Sequence, residues 1–187
     1  MPLDINWKFL LEVEGRTRRG YVPKDKDGVI GQSGVTIGKG IDIGQMSILQ
    51  LQKLDISDRV RAMLIPYAEK KREAAVAMLR TRPLFMEWAD VEELEKAVIA
   101  RELGLLIKYY NRDSKVKFQD IPTQAQTVLL SLVWNFGADL PGKLPTTWKM
   151  ATRQEWVKLA DYLSDFPGKQ KKLDGRRKRE AALLRTI

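Results

Sequence analysis

The chain has 187 residues, close to the ~150 of a typical domain, so one domain, or at most one with an appendage, is expected. At 44% hydrophobic and 30% charged it has the composition of a folded protein rather than a disordered chain. Its 33 Lys and Arg against 24 Asp and Glu leave a charge of +9, which favours a polyanionic partner without choosing among nucleic acid, a membrane surface and an acidic polymer. The absence of Cys and His removes disulfides, thiol nucleophiles, imidazole bases and the usual zinc sites. Any proton transfer then falls to Asp, Glu, Lys or Tyr, which makes paired carboxylates the first chemistry to look for.

In chain order, residues 4 to 14 read as a helix, with Asp4 as N-cap, Ile5, Phe9, Leu10 and Val13 at helical spacing, and Gly15 to end it. Residues from about 20 to 44 hold seven glycines, a Lys-Asp-Gly turn at 26 to 28 and the alternating Val35, Thr36 and Ile37, which predicts short antiparallel strands. Helical periodicity follows from 46 onward, interrupted by prolines, and predicts helices near 46–54, 58–65, 67–80, 90–110, 123–136, 153–164 and 174–185. Ser57 reads as an N-cap. Asp90 with Glu93, and Thr152 with Glu155, read as capping boxes. The expected architecture is α+β, mainly α: a first helix, a small N-terminal antiparallel lobe and a larger helical body over about 46–187, all in one domain spanning 1–187.

The start of the chain lacks the basic stretch and cleavage site of a signal peptide, and no run approaches the ~18 apolar residues of a membrane span. The expectation is a protein made in the cytoplasm.

Glu14 draws attention because it projects between Leu10 and Trp7 and stands in the last turn of the first helix. Both an apolar surround and the negative helix end favour its protonated form, as a general acid requires. Helix geometry alone favours a boundary Glu held by Arg16, Arg18 or Arg19. The Gly-rich segment shifts the balance, since Ser33 to Gly44 places the Thr36 hydroxyl and the Asp42 carboxylate six residues apart among glycines that allow close approach. It fits neither a Walker loop nor a dinucleotide fingerprint.

Here the sequence resembles the lysozyme-like muramidases, in particular phage-type lysozymes and pesticin-type bacteriocin domains. The resemblance rests on Glu14-Gly15, Tyr21 seven residues after Glu14, and Thr36-Ile37-Gly38-Lys39-Gly40. It continues through the apolar run from Gln124 that ends Trp134-Asn135-Phe136-Gly137, and through Leu173, Arg176, Arg177, Glu180 and Leu183. It implies a lysozyme-like fold and a muramidase that cleaves between N-acetylmuramic acid and N-acetylglucosamine, with bacterial peptidoglycan as partner and no metal or organic cofactor. The phage-type pattern puts the catalytic Asp in the hairpin before the Thr, where this chain has Asp25 and Asp27. The pesticin-type pattern has Thr-x-Gly-x-Gly-x-Asp, which Thr36 to Asp42 fits. Glu14, Thr36 and Asp42 are therefore the expected catalytic residues, with Asp25 and Asp27 in reserve for the base. Tyr21, Gly38, Gly40 and Asn135 are the expected substrate-binding residues. Inversion is implied, and retention stays open.

Residues 169–187 hold eight basic and two acidic residues, six of the nine net charges. Such a segment could contact an anionic membrane or be an ordinary solvated face whose arginines pair within the fold. A basic helical nucleic-acid-binding protein is the rival from another class, although it gives Glu14 and the Gly-rich segment no purpose. A third alternative is an inactive wall-binding module. The lysozyme reading makes nucleic acid an unlikely partner, expects a monomer, allows an immunity protein, and requires delivery to the wall through a holin, a secretion system or a receptor.

Overall fold

The computed structural model describes residue 3 and residues 5–11, 16–166 and 174–187, with Leu11 described by its backbone alone. The chain divides into two compact units, one of Met1–Val13 with Glu102–Ile187 and one of Glu14–Arg101.

Among the described residues, the second unit carries all the strands. β1 (Thr17–Tyr21), β4 (Thr36–Gly38) and β5 (Ile41–Asp42) form an antiparallel sheet in the order β1-β4-β5, and β2 (Lys24–Asp25) pairs with β3 (Gly28–Val29) as a separate hairpin. The β lobe thus begins at Thr17, three residues before the expected start. Gly38 and Gly40 have φ of 61° and 85°, and this left-handed backbone folds β5 back onto β4 over a tight turn. Val35, Ile37, Ile41 and Ile43 are buried, as are Leu51 of α2 (Ile48–Gln52), Val60 and Leu64 of α3 (Asp58–Leu64) and Ala75 of α4 (Arg72–Thr81), the apolar side chains that make up this unit's core. Ser57 caps α3 by accepting from the Val60 amide at 3.4 Å, as expected.

The long helix α5 (Trp88–Asp113) begins two residues before its expected start, so Asp90 lies inside it rather than capping it. The buried Asp90 carboxylate pairs instead with Arg59 of α3, and Glu93 accepts from the Ser57 backbone amide and, at 3.2 Å, from its hydroxyl. These carboxylates tie α5 to α3.

The other unit is helical. α1 (Trp7–Leu11) starts later than Asp4 would have it, because Asn6 is the cap, its Oδ1 accepting from the Phe9 amide at 3.0 Å. The backbone amide of Asn6 in turn donates to Thr127 Oγ1 at 2.9 Å. α6 (Thr123–Phe136) is buried over every residue from Ala125 to Val133, as a helix surrounded by others must be. Around it pack Ile5, Leu106, Tyr110, Phe118, Trp148, Leu159 and Leu184. Pro141 and Pro145 do not interrupt structure as expected. They sit in the first turns of α7 (Leu140–Lys143) and α8 (Pro145–Thr152), where a missing N–H costs nothing. Thr152 consequently ends α8, its hydroxyl donating back to the Trp148 carbonyl at 3.0 Å, and Glu155 is the residue before α9 (Trp156–Ser164). α10 (Asp174–Leu184) closes the chain. Among the described residues no helix is long and apolar enough to cross a membrane.

Candidate active site

Three of the residues singled out in the sequence form one row across the sheet. Tyr21 on β1 is the register partner of Thr36 on β4, and Thr36 is the partner of Asp42 on β5. Directly opposed residues of antiparallel strands project from the same face, so this row presents a phenol, a hydroxyl and a carboxylate side by side. The sharing of a face comes from pairing across a hairpin, not from even spacing along one strand.

Asp42 is held by the backbone. Both its carboxylate oxygens accept from the Gly34 amide, at 3.1 and 3.0 Å, and the Thr36 hydroxyl donates to the Gly34 carbonyl at 3.3 Å. One residue thus anchors both side chains. It can do so only as glycine, since a Cβ at position 34 would lie 2.5 Å from Gly44 Cα, 2.6 Å from the Lys70 carbonyl oxygen and 2.7 Å from Asp42 Oδ1. Asp42 is half-buried and retains lone pairs beyond those on Gly34, whereas Thr36 is almost fully covered.

β1 departs from regular pairing in a way that shapes a groove. Its register runs Thr17 to Gly38 and Tyr21 to Thr36, so five residues of β1 oppose three of β4 and the strand bulges through Arg18, Arg19 and Gly20. Thr17 pins the bulge, its hydroxyl accepting from the Arg19 amide at 3.0 Å and donating to the Arg19 carbonyl at 3.1 Å. The result is an open groove of about 440 Å³ lined by Arg16, Thr17, Arg19, Gly20, Tyr21, Gly38 and Gly40. Its Arg16 is oriented by Glu95, whose two oxygens accept from Nε at 3.2 Å and pair with Nη2 at 3.0 Å, while Glu92 lies 3.5 Å from Nη1. The hydrogen bond to Glu95 raises the Arg16 pKa further above its ordinary value. Glu95 in turn fits beneath Gly38, where a Cβ would stand 2.9 Å from its Oε1.

Glu14, the expected acid, lies outside the described residues, as do Glu12 and Gly15. Asp25 and Asp27 occupy the exposed turn of the β2–β3 hairpin, where Asp25 Oδ1 accepts from the Asp27 amide at 2.9 Å, a turn-forming bond. In the helical unit, Asn135, an expected substrate-binding residue, has its Oδ1 accepting from Arg177 Nη2 at 2.5 Å. Arg177 itself is buried with Arg176 around the fully buried Glu180, at 2.9 and 3.3 Å, and Ser131 also donates to Glu180.

The basic C-terminal segment is therefore not one charged face. Arg176 and Arg177 are internal, Arg185 pairs with Asp161 at 2.9 Å, Lys178 and Arg179 are exposed, and Lys169, Lys171 and Lys172 lie outside the described residues. Sequence reasoning missed the groove residues Arg16 and Arg19, the buttress Glu95 and the anchor Gly34. Of these only Gly34 left a signal, as one glycine among the seven of that segment.

The chain is thus mainly helical, with a small antiparallel sheet that holds Thr36 and Asp42 on one face. Two phage enzymes share the fold: the active form of P1 phage endolysin Lyz, at 16% identity and a TM-score of 0.54 over 99% of this chain and 86% of that one, and the L86M mutant of P22 lysozyme, at 17% identity and a TM-score of 0.53 over 97% of each chain. No curated protein matches the chain. Residues 4–157 match the pesticin family, described as a bacterial toxin homologue of phage lysozyme, C-terminal part, and the chain belongs to that family. It is thereby a lysozyme-type glycosidase whose substrate is peptidoglycan.

Proposed function

We propose that the protein is a muramidase that cleaves between N-acetylmuramic acid and N-acetylglucosamine, with Glu14 as general acid and with Asp42 and Thr36 activating water. The observation that carries the reading is the pairing of Thr36 with Asp42 across the β4–β5 hairpin, both anchored on Gly34. A glycosidase needs one carboxyl to protonate the leaving oxygen and a second, ionised one to act on water or on the sugar. Asp42 supplies the second, and the neighbouring Thr36 hydroxyl can orient the water toward the anomeric carbon. Asp25 and Asp27, committed to an exposed turn, fit the base less well. The inverting outcome suits a base that delivers water from across a groove.

On the same reading the chain acts as a monomer, reaches the wall through a partner's route, and meets an immunity protein where the producing cell must protect itself. Mass analysis of fragments from purified peptidoglycan tests the bond. Reducing ends at N-acetylmuramic acid support the muramidase, whereas 1,6-anhydro ends or cleaved peptides overturn it. Glu14→Gln, with Glu12→Gln as control, tests the acid: loss of turnover confined to the Glu14 variant is expected.

A further inference from the structure

The groove beside the Tyr21–Thr36–Asp42 row has a charge that neither the fold nor the chemistry of bond cleavage requires. Three arginines fall in four positions, and all three guanidiniums lie beside the aromatic pair Phe85 and Trp88, with Arg16 4.8 Å from the Trp88 ring centroid. Arg18 leaves the groove: its guanidinium lies 4.8 Å from the Phe85 ring centroid, 5.4 Å from that of Trp88, and 3.4 Å from Glu87. Arg16 lines the groove with its orientation set by Glu95 and Glu92. Arg19 also lines it, exposed, with its guanidinium 5.9 Å from the Phe85 ring centroid and its N–H edge free of any carboxylate among the described residues. Its backbone is locked on both sides by Thr17, so the side chain is presented from a fixed base. A bulge with two extra residues disrupts the ladder, and here it carries a guanidinium that stacks on Phe85 by its face and keeps its N–H edge for a ligand in the groove.

We propose that Arg19, assisted by Arg16, forms a carboxylate-binding subsite that recognises the free carboxylates of the peptide stem carried by the glycan. This inference rests on the peptidoglycan reading of the same site. A guanidinium presents paired N–H donors that match a carboxylate bidentately. Arg19 has its whole fork available. Arg16 directs Nε and one edge of Nη2 to Glu95 and still holds further N–H donors on its terminal nitrogens. Gly20, Gly38 and Gly40 complete the lining of the groove, whose volume of about 440 Å³ admits part of a peptide branch. In peptidoglycan the acidic groups stand on that branch and not on the sugar ring hydroxyls, so a cationic groove at the edge of a glycan site selects for the branch. The subsite thus makes the enzyme prefer strands whose stems carry free acids over strands whose stems are amidated.

The test compares a disaccharide-peptide fragment bearing free stem carboxylates with the same fragment amidated, by calorimetric titration of the full chain. The wild type is expected to bind the free acid about tenfold more tightly. Arg19→Gln should bring the two within about twofold, and Arg19→Lys should keep part of the preference because it retains the charge without the fork. Lys26→Gln, which removes one positive charge in the distant β2–β3 turn, should keep the full preference. The proposal is overturned if the wild type does not discriminate, if Arg19→Gln discriminates as well as the wild type, or if Lys26→Gln loses the preference equally, which would make it a bulk charge effect. Circular dichroism of each variant confirms that it is folded. Failure of the muramidase reading is distinguishable, because it appears as absent reducing ends from wild-type protein whatever the binding preference.

Discussion

Thr36 and Asp42 face one another across the β4–β5 hairpin, and both side chains bond to the backbone of Gly34. The carboxylate accepts the Gly34 amide with both oxygens while the hydroxyl donates to the carbonyl of the same residue. Three positions separated by up to eight residues therefore move as one unit, and a small displacement of any of them displaces the candidate catalytic pair.

Asp42→Asn keeps the shape and one amide acceptor but cannot take a proton from water. We expect a loss of about 10²–10⁴-fold in turnover of purified peptidoglycan. The weaker bond to the Gly34 amide should cost about 1–2 kcal/mol in chemical denaturation. Asp25→Asn and Asp27→Asn should retain most activity. A dead Asp25 or Asp27 variant beside an active Asp42 variant would move the base to the other hairpin.

Gly34→Ala tests the anchor without replacing either functional side chain. The added methyl meets the backbone of Gly44 and Lys70, which cannot rotate away, as well as Asp42. Overpacking of this kind costs about 1–3 kcal/mol. Activity should fall well beyond what the change in folded fraction explains, because the hairpin must shift to admit the methyl. Unchanged turnover in the folded variant would show that the pair does not depend on Gly34.

The Thr36–Gly38–Gly40–Asp42 spacing was legible because a tight turn needs left-handed residues and glycine announces them. The 123–136 helix was legible because its apolar run is long and ends at Gly137, whose φ is 80°. What escaped was set by tertiary pairing. Asp90 and Glu93 have the form of a capping box, yet their carboxylates are used by Arg59 and Ser57 on another helix. Pro141 and Pro145 look like breaks, although a proline in a first turn starts a helix as readily as it stops one. The Arg19 bulge has no local signature, since its register is defined by β4, and Arg176 and Arg177 read as surface charge because nothing nearby in sequence reveals the cavity that buries them.

Asp113 offers a pH test. It accepts from Arg112 Nε at 2.6 Å and from the Trp148 indole at 2.9 Å, and the Arg112 bond holds its carboxyl below the ordinary value. A carboxyl lowered in the folded state contributes stability that is present above its unfolded value of 3.8 and is lost as pH falls through the lower folded value. The wild type should therefore exceed Asp113→Asn in stability at neutral pH, with the gap closing below about pH 4. The contribution is modest, because Arg112 is exposed. A gap constant with pH, followed by tryptophan fluorescence, would assign the difference to packing alone.

Asn135 separates a structural role from a substrate-binding one, and the cluster beside it sets the scale. Glu180 is fully buried between Arg176 and Arg177, so Glu180→Gln leaves two buried guanidiniums without their anion. Removing one member of such a group costs about 3–5 kcal/mol. Asn135 meets the same cluster through the Arg177 contact, and Asn135→Ala should cost about 1–3 kcal/mol because it strips a buried charge of an acceptor. If that contact is its whole purpose, the KM of the folded Asn135→Ala variant should match the wild type. The double variant with Glu180→Gln should then lose less than the sum of the two single losses, since both act on Arg177. If Asn135 instead holds the sugar, KM should rise several-fold while the two stability losses simply add.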